Sequence, residues 1–336
     1  MRFRRRLGHA ALYCKRMEAN IQKAAVFGAA GAIGRVLVPE LARRGVAVRV
    51  VGRSRDKLEK EFAPLPNVEI FAADLADLRS AGAAARGVDT IFYCVGLPYP
   101  SHRLHPVLMQ TTLQAAAAVQ VARLVLASSV YGYGVPRTPR VAETHPREPH
   151  THKGQYRKQQ EDLVLEAHAA GKIQGLIVRL PDFYGPFADL SLANPIFAAA
   201  LAGKTANWVG PVNTPHEFVF VPDAAAVFAD LAARADCYGE AWNFAGAGEI
   251  AAVDFITRVY RAAGREPRYR TAGRRLLGIM GWFNPLYREL VEMLYLQETP
   301  VILDDNKLLA RLGAVHKTSY DEGIAKTLEW MRSGLR

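Results

Sequence analysis

Short apolar runs that alternate with longer Ala-rich segments predict an α/β fold: a doubly wound parallel sheet followed by a smaller, mostly helical C-terminal lobe. Three observations carry this. Strand-like and helix-like segments alternate six times up to residue 180. The strand-like runs are apolar almost throughout, as strands covered on both faces must be. A glycine-rich turn directly joins the first run to the first helical segment.

The predicted strands cover residues 23–27, 46–51, 68–71, 90–95, 124–127 and 176–180. Between them, apolar spacing predicts helices over 33–44, 75–86, 107–119 and 156–169. After about residue 181 the rhythm breaks. Pro and Gly become frequent, 217–221 and 242–244 stand as isolated strands, and helices dominate from Val253 onward. The predicted organisation is a basic extension over 1–20, a dinucleotide-binding domain over 21–180, and a substrate lobe over 181–336 with segments returning to the first domain.

Of the 336 residues, 50% are hydrophobic and 22% charged, as in ordinary globular proteins. No apolar run approaches the roughly 20 residues of a membrane-spanning helix, so no membrane partner is expected. The net charge of +11 is localised. Residues 1–16 hold six basic residues and no acidic one; the remainder has 37 basic against 32 acidic residues, or +5, and no nucleic-acid partner is expected. The segment reads as a disordered extension, or as material upstream of a start at Met17, although RNA-binding arms and organelle presequences share its Arg-rich, acid-poor composition. Cys14, Cys94 and Cys237 are too few and too scattered for a disulfide framework or a zinc knuckle, which favours a cytoplasmic location. His102, His105, His145, His150 and His152 lie in Pro-rich stretches without helical pairing, and read as solvated loop histidines rather than metal ligands.

The turn after the first strand is Gly28-Ala29-Ala30-Gly31-Ala32-Ile33-Gly34. Its glycines permit a tight turn and close backbone approach to a pyrophosphate resting on a helix N-terminus. Gly28, Ala30, Gly31, Ala32, Ile33 and Gly34 are therefore candidate cofactor contacts. The second strand ends in Gly52-Arg53-Ser54-Arg55, where an NAD enzyme usually places a carboxylate for the ribose 2′-hydroxyl. Two guanidinium groups and no acid suit a 2′-phosphate, so NADP(H) is favoured over NAD and Arg53 is its candidate selector.

With these features the chain resembles the short-chain dehydrogenase/reductase superfamily, in its extended, epimerase/dehydratase-like branch, over roughly residues 21–332. Further motifs carry the resemblance: Asp74-Leu75, Cys94-Val95-Gly96, Ser128-Ser129-Val130-Tyr131-Gly132-Tyr133-Gly134, the stretch from Arg179 to Pro186, that from His216 to Asp223, Asp305-Asn306-Lys307 and Leu312-Gly313. It implies a Rossmann fold, adenine contacts at Asp74 and Leu75, and small residues against the cofactor at Val95 and Gly96. It also implies a homodimer formed through the helices near 107–119 and 156–169.

In that family a serine polarises the substrate carbonyl and a tyrosine transfers a proton, its pKa lowered by a lysine four residues on. Ser129 takes the serine position by its spacing to Tyr133-Gly134, and Tyr156 is the candidate acid/base. The lysine is replaced by Gln160. Lys158 would point to a different helix face. Lys153 would lie alongside only if the helix begins early. Asp182 and His216 stand where nucleotide-sugar enzymes carry asparagine and arginine, and Val130 replaces the acid of the dehydratases. A doubly anionic ligand is thereby disfavoured. Phe187, Trp208, Trp282 and Phe283 read mostly as core, with the lining of an apolar pocket as the alternative. The sequence thus points to an NADP(H)-dependent oxidoreductase acting on a small carbonyl or alcohol. The alternative is a catalytically silent, cofactor-binding sensor.

Overall fold

The computed structural model describes residues 19–334. The basic segment 1–16, with Cys14, lies outside the described residues. Seven parallel strands form the central sheet in the order β10-β6-β5-β4-β1-β2-β3: β1 (Lys23–Phe27), β2 (Ala47–Gly52), β3 (Val68–Ala72), β4 (Thr90–Tyr93), β5 (Arg123–Ser129), β6 (Gln174–Leu180) and β10 (Ala241–Asn243). The chain leaves β1 for β2 on one side and later places β4 on the other, in register at Phe27↔Val51 and Phe27↔Tyr93. Strand order therefore reverses between β1 and β4, and a crevice opens above their C-terminal ends, where such sheets bind ligands.

Side-chain alternation along each strand fills two layers. Val26, Val50, Phe92 and Val178 face one core with α1 (Ala32–Arg43) and α7 (Val221–Ala232). Phe27, Ile91, Leu124 and Ile177 face the other, covered by α3 (Leu78–Ala85), α4 (Leu104–Ala118) and α5 (His152–Ala169). One further helix, α2 (Arg55–Phe62), follows β2 and buries only Leu58 and Phe62.

Beyond the sheet, β7 (Asp182–Tyr184), β9 (Pro215–Phe220) and β11 (Glu249–Ala251) form a small sheet, and β8 (Ala206–Val209) pairs with β12 (Tyr269–Ala272). They pack with α6 (Asn194–Leu201), α8 (Ala252–Ala262) and α13 (Tyr320–Gly334) around Tyr184, Phe197, Phe218 and Phe255. Trp208 joins that core. Trp282 and Phe283 do not: they are 84% and 85% exposed, a correction to their reading as core. They follow α9 (Arg274–Met280), ahead of α10 (Pro285–Met293) and α11 (Tyr295–Glu298). The latter two bring Met293, Tyr295 and Leu296 against Val130 and Tyr133 at the end of β5. The chain then passes through α12 (Asn306–Leu312).

Candidate active site

The crevice begins with the glycine turn. Gly28 has φ +79°, and a Cβ there would lie 2.8 Å from the Cys94 carbonyl oxygen, so the turn sits hard against the end of β4. A Cβ on Gly34 would meet the Ala29 carbonyl oxygen at 2.4 Å, so only glycine lets α1 start so close to the turn. The turn is fixed from below by Gly28 and Ala29, whose N–H groups both donate to Val51 O at 3.0 and 3.2 Å. Gly31 caps α1 without a side-chain hydrogen bond, and no acidic residue occupies the first turn. Ala30, Gly31, Ala32 and Ile33 stay partly exposed along the crevice. This is an uncapped, positively polarised helix end lined by small residues.

Past β2, Arg53 is exposed and has no hydrogen-bond or ion-pair partner among the described residues. Arg55 instead belongs to α2 and pairs with Glu59 at 3.2 Å. Asp74 accepts from its own Ala76 N–H at 3.0 Å, which fixes its carboxylate in a turn beside the buried Leu75. Val95 is half-buried and Gly96 exposed beyond β4.

The end of β5 carries Ser129, whose Oγ is buried and has no hydrogen-bond partner among the described residues. The first turn of α5 packs on the segment just after it; α5 starts at His152 because Thr151 caps it, accepting from Gly154 N at 3.1 Å. A Cβ on Gly154 would meet Tyr131 O at 2.8 Å, so glycine there seats α5 directly on the segment after Ser129. The early start decides which side chains look inward. Lys153, Arg157, Gln160 and Glu161 are buried; Tyr156 lies on the flank, half-buried and without a hydrogen bond among the described residues.

The inward groups form one continuous cluster. Lys153 Nζ lies 5.5 Å from the centroid of Tyr99, and Tyr99 and Tyr131 share a hydroxyl contact at 3.3 Å. His102 stacks on Tyr131 and meets His105 edge-on at 5.0 Å. Arg157 donates to Gln160 Oε1 at 2.6 Å and Ala127 O at 3.0 Å, and reaches His105 Nδ1 at 3.3 Å. Gln160 is thus a rest for Arg157, and its Nε2 is left without a partner. Lys153 is shared by Glu289 and Glu292 of α10, which close over it.

Burial, then the Arg157 and Lys153 cations, push His102 down to about 4, and His105 falls well below its usual value for similar reasons. These two histidines and His145 are buried, a correction to their reading as solvated. For the first pair the reason is that α4 begins at Leu104, which brings His105 into its first turn and His102 just ahead of it. Burial also raises Asp182, to about 6. Asp182 shares a narrow cavity with Tyr99, Tyr131, Leu290, Met293 and Gln297. Outside the cluster, Glu161 takes Arg179 at 2.7 Å in a fully buried pair that continues through Tyr133 to Asn243.

The sequence profile of the NAD dependent epimerase/dehydratase family matches residues 24–245. The chain belongs to that family. The matched residues contain the motifs from Gly28 to Pro186 on which the resemblance rested. The dTDP-6-deoxy-L-talose 4-dehydrogenase (NAD(P)(+)) of Kitasatospora kifunensis is 30% identical over 216 residues, covering 60% of this chain and 67% of that one. A 4-hydroxy-2-methyl-3-oxo-4-farnesyl-3,4-dihydroquinoline-1-oxide ketoreductase of Stigmatella aurantiaca is 25% identical over 321 residues, covering 89% and 93%. Among solved structures, the dTDP-glucose 4,6-dehydratase DesIV of Streptomyces venezuelae, with NAD and TYD bound, has a TM-score of 0.79 at 22% identity, covering 93% and 97%. That likeness is one of fold. This member of the epimerase/dehydratase family differs from the expected pattern chiefly on α5, where Lys153 and Arg157 hold the inner face.

Proposed function

We propose that this protein is an NADP(H)-dependent oxidoreductase that reduces a small, apolar carbonyl compound or oxidises the matching alcohol. The observation that carries the reading is the buried Ser129 Oγ, without a partner among the described residues, at the end of β5 and two residues before Tyr131 of the Tyr99–Tyr131–Lys153 cluster. A buried hydroxyl without a partner costs free energy unless a ligand completes it. The crevice fits the cofactor: Gly28 and Gly34 leave no room for side chains, α1 offers uncapped N–H groups, and Arg53 is free for a 2′-phosphate. Asp74, Leu75, Val95 and Gly96 would line the rest.

When bound, NADPH supplies a hydride to the carbonyl carbon. Ser129 donates a hydrogen bond to the carbonyl oxygen. Lys153, an ammonium on the inner face of α5, holds the proton which that oxygen takes up. Tyr156, the candidate from the sequence, is the rival donor, and its place on the flank favours Lys153. The lining that Leu290 and Met293 give this narrow cavity, with Asp182 present, favours an apolar group over a nucleotide diphosphate. The K. kifunensis relative is named for a nucleotide sugar and the S. aurantiaca one for a farnesylated quinoline oxide; an apolar lining is in keeping with a substrate of the second kind. A soluble, cytoplasmic homodimer through the outer faces of α4 and α5 completes the reading.

A second reading rests on Glu289 and Glu292, which neutralise Lys153 and close the site. On that reading the protein binds cofactor and senses it without turnover. A screen of ketones and aldehydes with NADPH separates the two. Turnover that falls sharply in Ser129→Ala supports the reductase. Saturable NADPH binding with no oxidation across the panel supports the sensor.

A further inference from the structure

Among the described residues, the two highest exposures of large apolar side chains fall in one short stretch. Leu276 and Ile279 lie one turn apart on α9 and are 48% and 56% exposed, and Trp282 and Phe283 follow at 84% and 85%. Leu277, on the opposite side of the same helix, is 1% exposed and anchors it. Isolated exposed apolar residues are normal on protein surfaces, but a contiguous group with two aromatics marks an interaction site.

The charge around the group identifies its partner. Residues 268–288 contain Arg268, Arg270, Arg274, Arg275 and Arg288, and no aspartate or glutamate. Arg274 is engaged by Glu298 at 2.7 Å, whereas Arg275 and Arg288 are exposed without an ion pair among the described residues. Aromatic and aliphatic side chains beside unpaired guanidinium groups are what an anionic bilayer surface accepts: the apolar groups enter the headgroup boundary and the cations meet phosphate. A second copy of this chain seated on the same patch would bring the same unpaired guanidinium groups to the contact. No described helix is long and apolar enough to cross a membrane, so the contact is with the surface.

We propose that residues 274–288 form an interfacial anchor that seats the protein on anionic lipid bilayers. The anchor runs directly into α10, whose Leu290 and Met293 wall the cavity beside Tyr99 and Tyr131. The proposal stands whether or not the reaction is the one argued above, since its test reads lipid binding alone.

The full chain is mixed with vesicles of phosphatidylcholine, or of phosphatidylcholine with 30% phosphatidylglycerol on the order of a cytoplasmic leaflet's anionic content, and sedimented. Binding to the anionic vesicles at least about tenfold tighter than to the neutral ones is expected, falling as salt rises. The double variant Trp282→Ala/Phe283→Ala should lose about tenfold or more, while its thermal unfolding stays that of the wild type because neither side chain is in the core. It keeps residues 1–16, so a basic N-terminal arm cannot account for the loss. Arg275→Gln/Arg288→Gln should weaken binding and flatten its salt dependence. Brominated lipid should quench tryptophan emission in the wild type and not in Trp282→Phe, which should still sediment. No sedimentation of the wild type, or equal sedimentation of the Trp282→Ala/Phe283→Ala variant, would overturn the proposal. So would a lipid-free dimer that this variant dissolves, which would make the patch a contact between copies.

Discussion

The ammonium of Lys153 lies 5.5 Å from the centroid of the Tyr99 ring, 2% exposed and one helical turn before Arg157. Two buried cations therefore hold the inner face of α5, where the sequence pattern suggested a tyrosine backed by a glutamine. A proton-bearing ammonium can do the work of a phenol, because proton transfer needs a donor in reach whose charge state fits the pH.

The first prediction separates the two donors. Lys153→Met should lower kcat by about a hundred- to ten-thousandfold, the usual weight of a general acid, with cofactor affinity retained. Tyr156→Phe should leave kcat unchanged. Steady-state kinetics with a ketone found active in the screen measures both, and a reversed pattern would restore Tyr156 to the role.

Arg53 should set cofactor preference. A charge-assisted hydrogen bond is worth about 1.5–3 kcal/mol, so Arg53→Ala should weaken NADPH by roughly ten- to a hundredfold and leave NADH nearly untouched. Arg55→Ala should do less, since Arg55 is already paired with Glu59. Calorimetric titration of both cofactors into each variant gives the answer. Equal wild-type affinity for the two would mean that Arg53 is only a surface charge.

Asp182 gives the fold a pH dependence of known sign. Burial raises its pKa to about 6, so the folded state holds the proton more tightly than the unfolded chain. Its contribution to stability is present in full below about 4, the unfolded value, and is lost as pH rises through 6. His102 and His216, both lowered to about 4 by burial, act in the opposite direction across nearly the same range. The variant isolates the carboxyl: Asp182→Asn should raise Tm relative to wild type at pH 8 and not at pH 4. Thermal melts at the two pH values provide the comparison, and an equal offset at both would show that Asp182 is not buried as described.

The Glu161–Arg179 pair should be the costliest polar contact to break. Burial alone would raise the Glu161 pKa, yet Arg179 and the Ser128 hydroxyl outweigh it and hold the carboxylate low. Glu161→Ala strands a buried guanidinium, which typically costs about 3–5 kcal/mol. Urea unfolding should show that loss with an unchanged m-value.

The parallel strands were legible because most are buried on both faces and read as nearly unbroken apolar runs; β3, at the sheet edge, has no fully buried residue and is marked by Val68, Ile70 and Phe71. The same logic missed α2, where Leu58 and Phe62 are the buried residues in a stretch otherwise rich in charge. At the site, the glycine turn could be read because its geometry needs glycine. The inner face of α5 could not, since that depended on where the helix starts. Thr151 was the available signal: a cap there moves the start to His152 and aligns Lys153, Arg157 and Glu161 at intervals of four. The burial of His102 and the exposure of Trp282 had no local signal. Both follow from how α4 and α9 pack, which single residues do not announce.

Hydride transfer from NADPH to a carbonyl carbon at the end of β5 is read directly by isotope transfer. NADPH carrying deuterium at C4 would be incubated with the full chain and a panel of apolar ketones, and the products weighed by mass spectrometry. An alcohol heavier by one mass unit than the protiated product is expected, at a rate cut sharply by Ser129→Ala and by Lys153→Met. Tight NADPH binding with no deuterium in any product would contradict it.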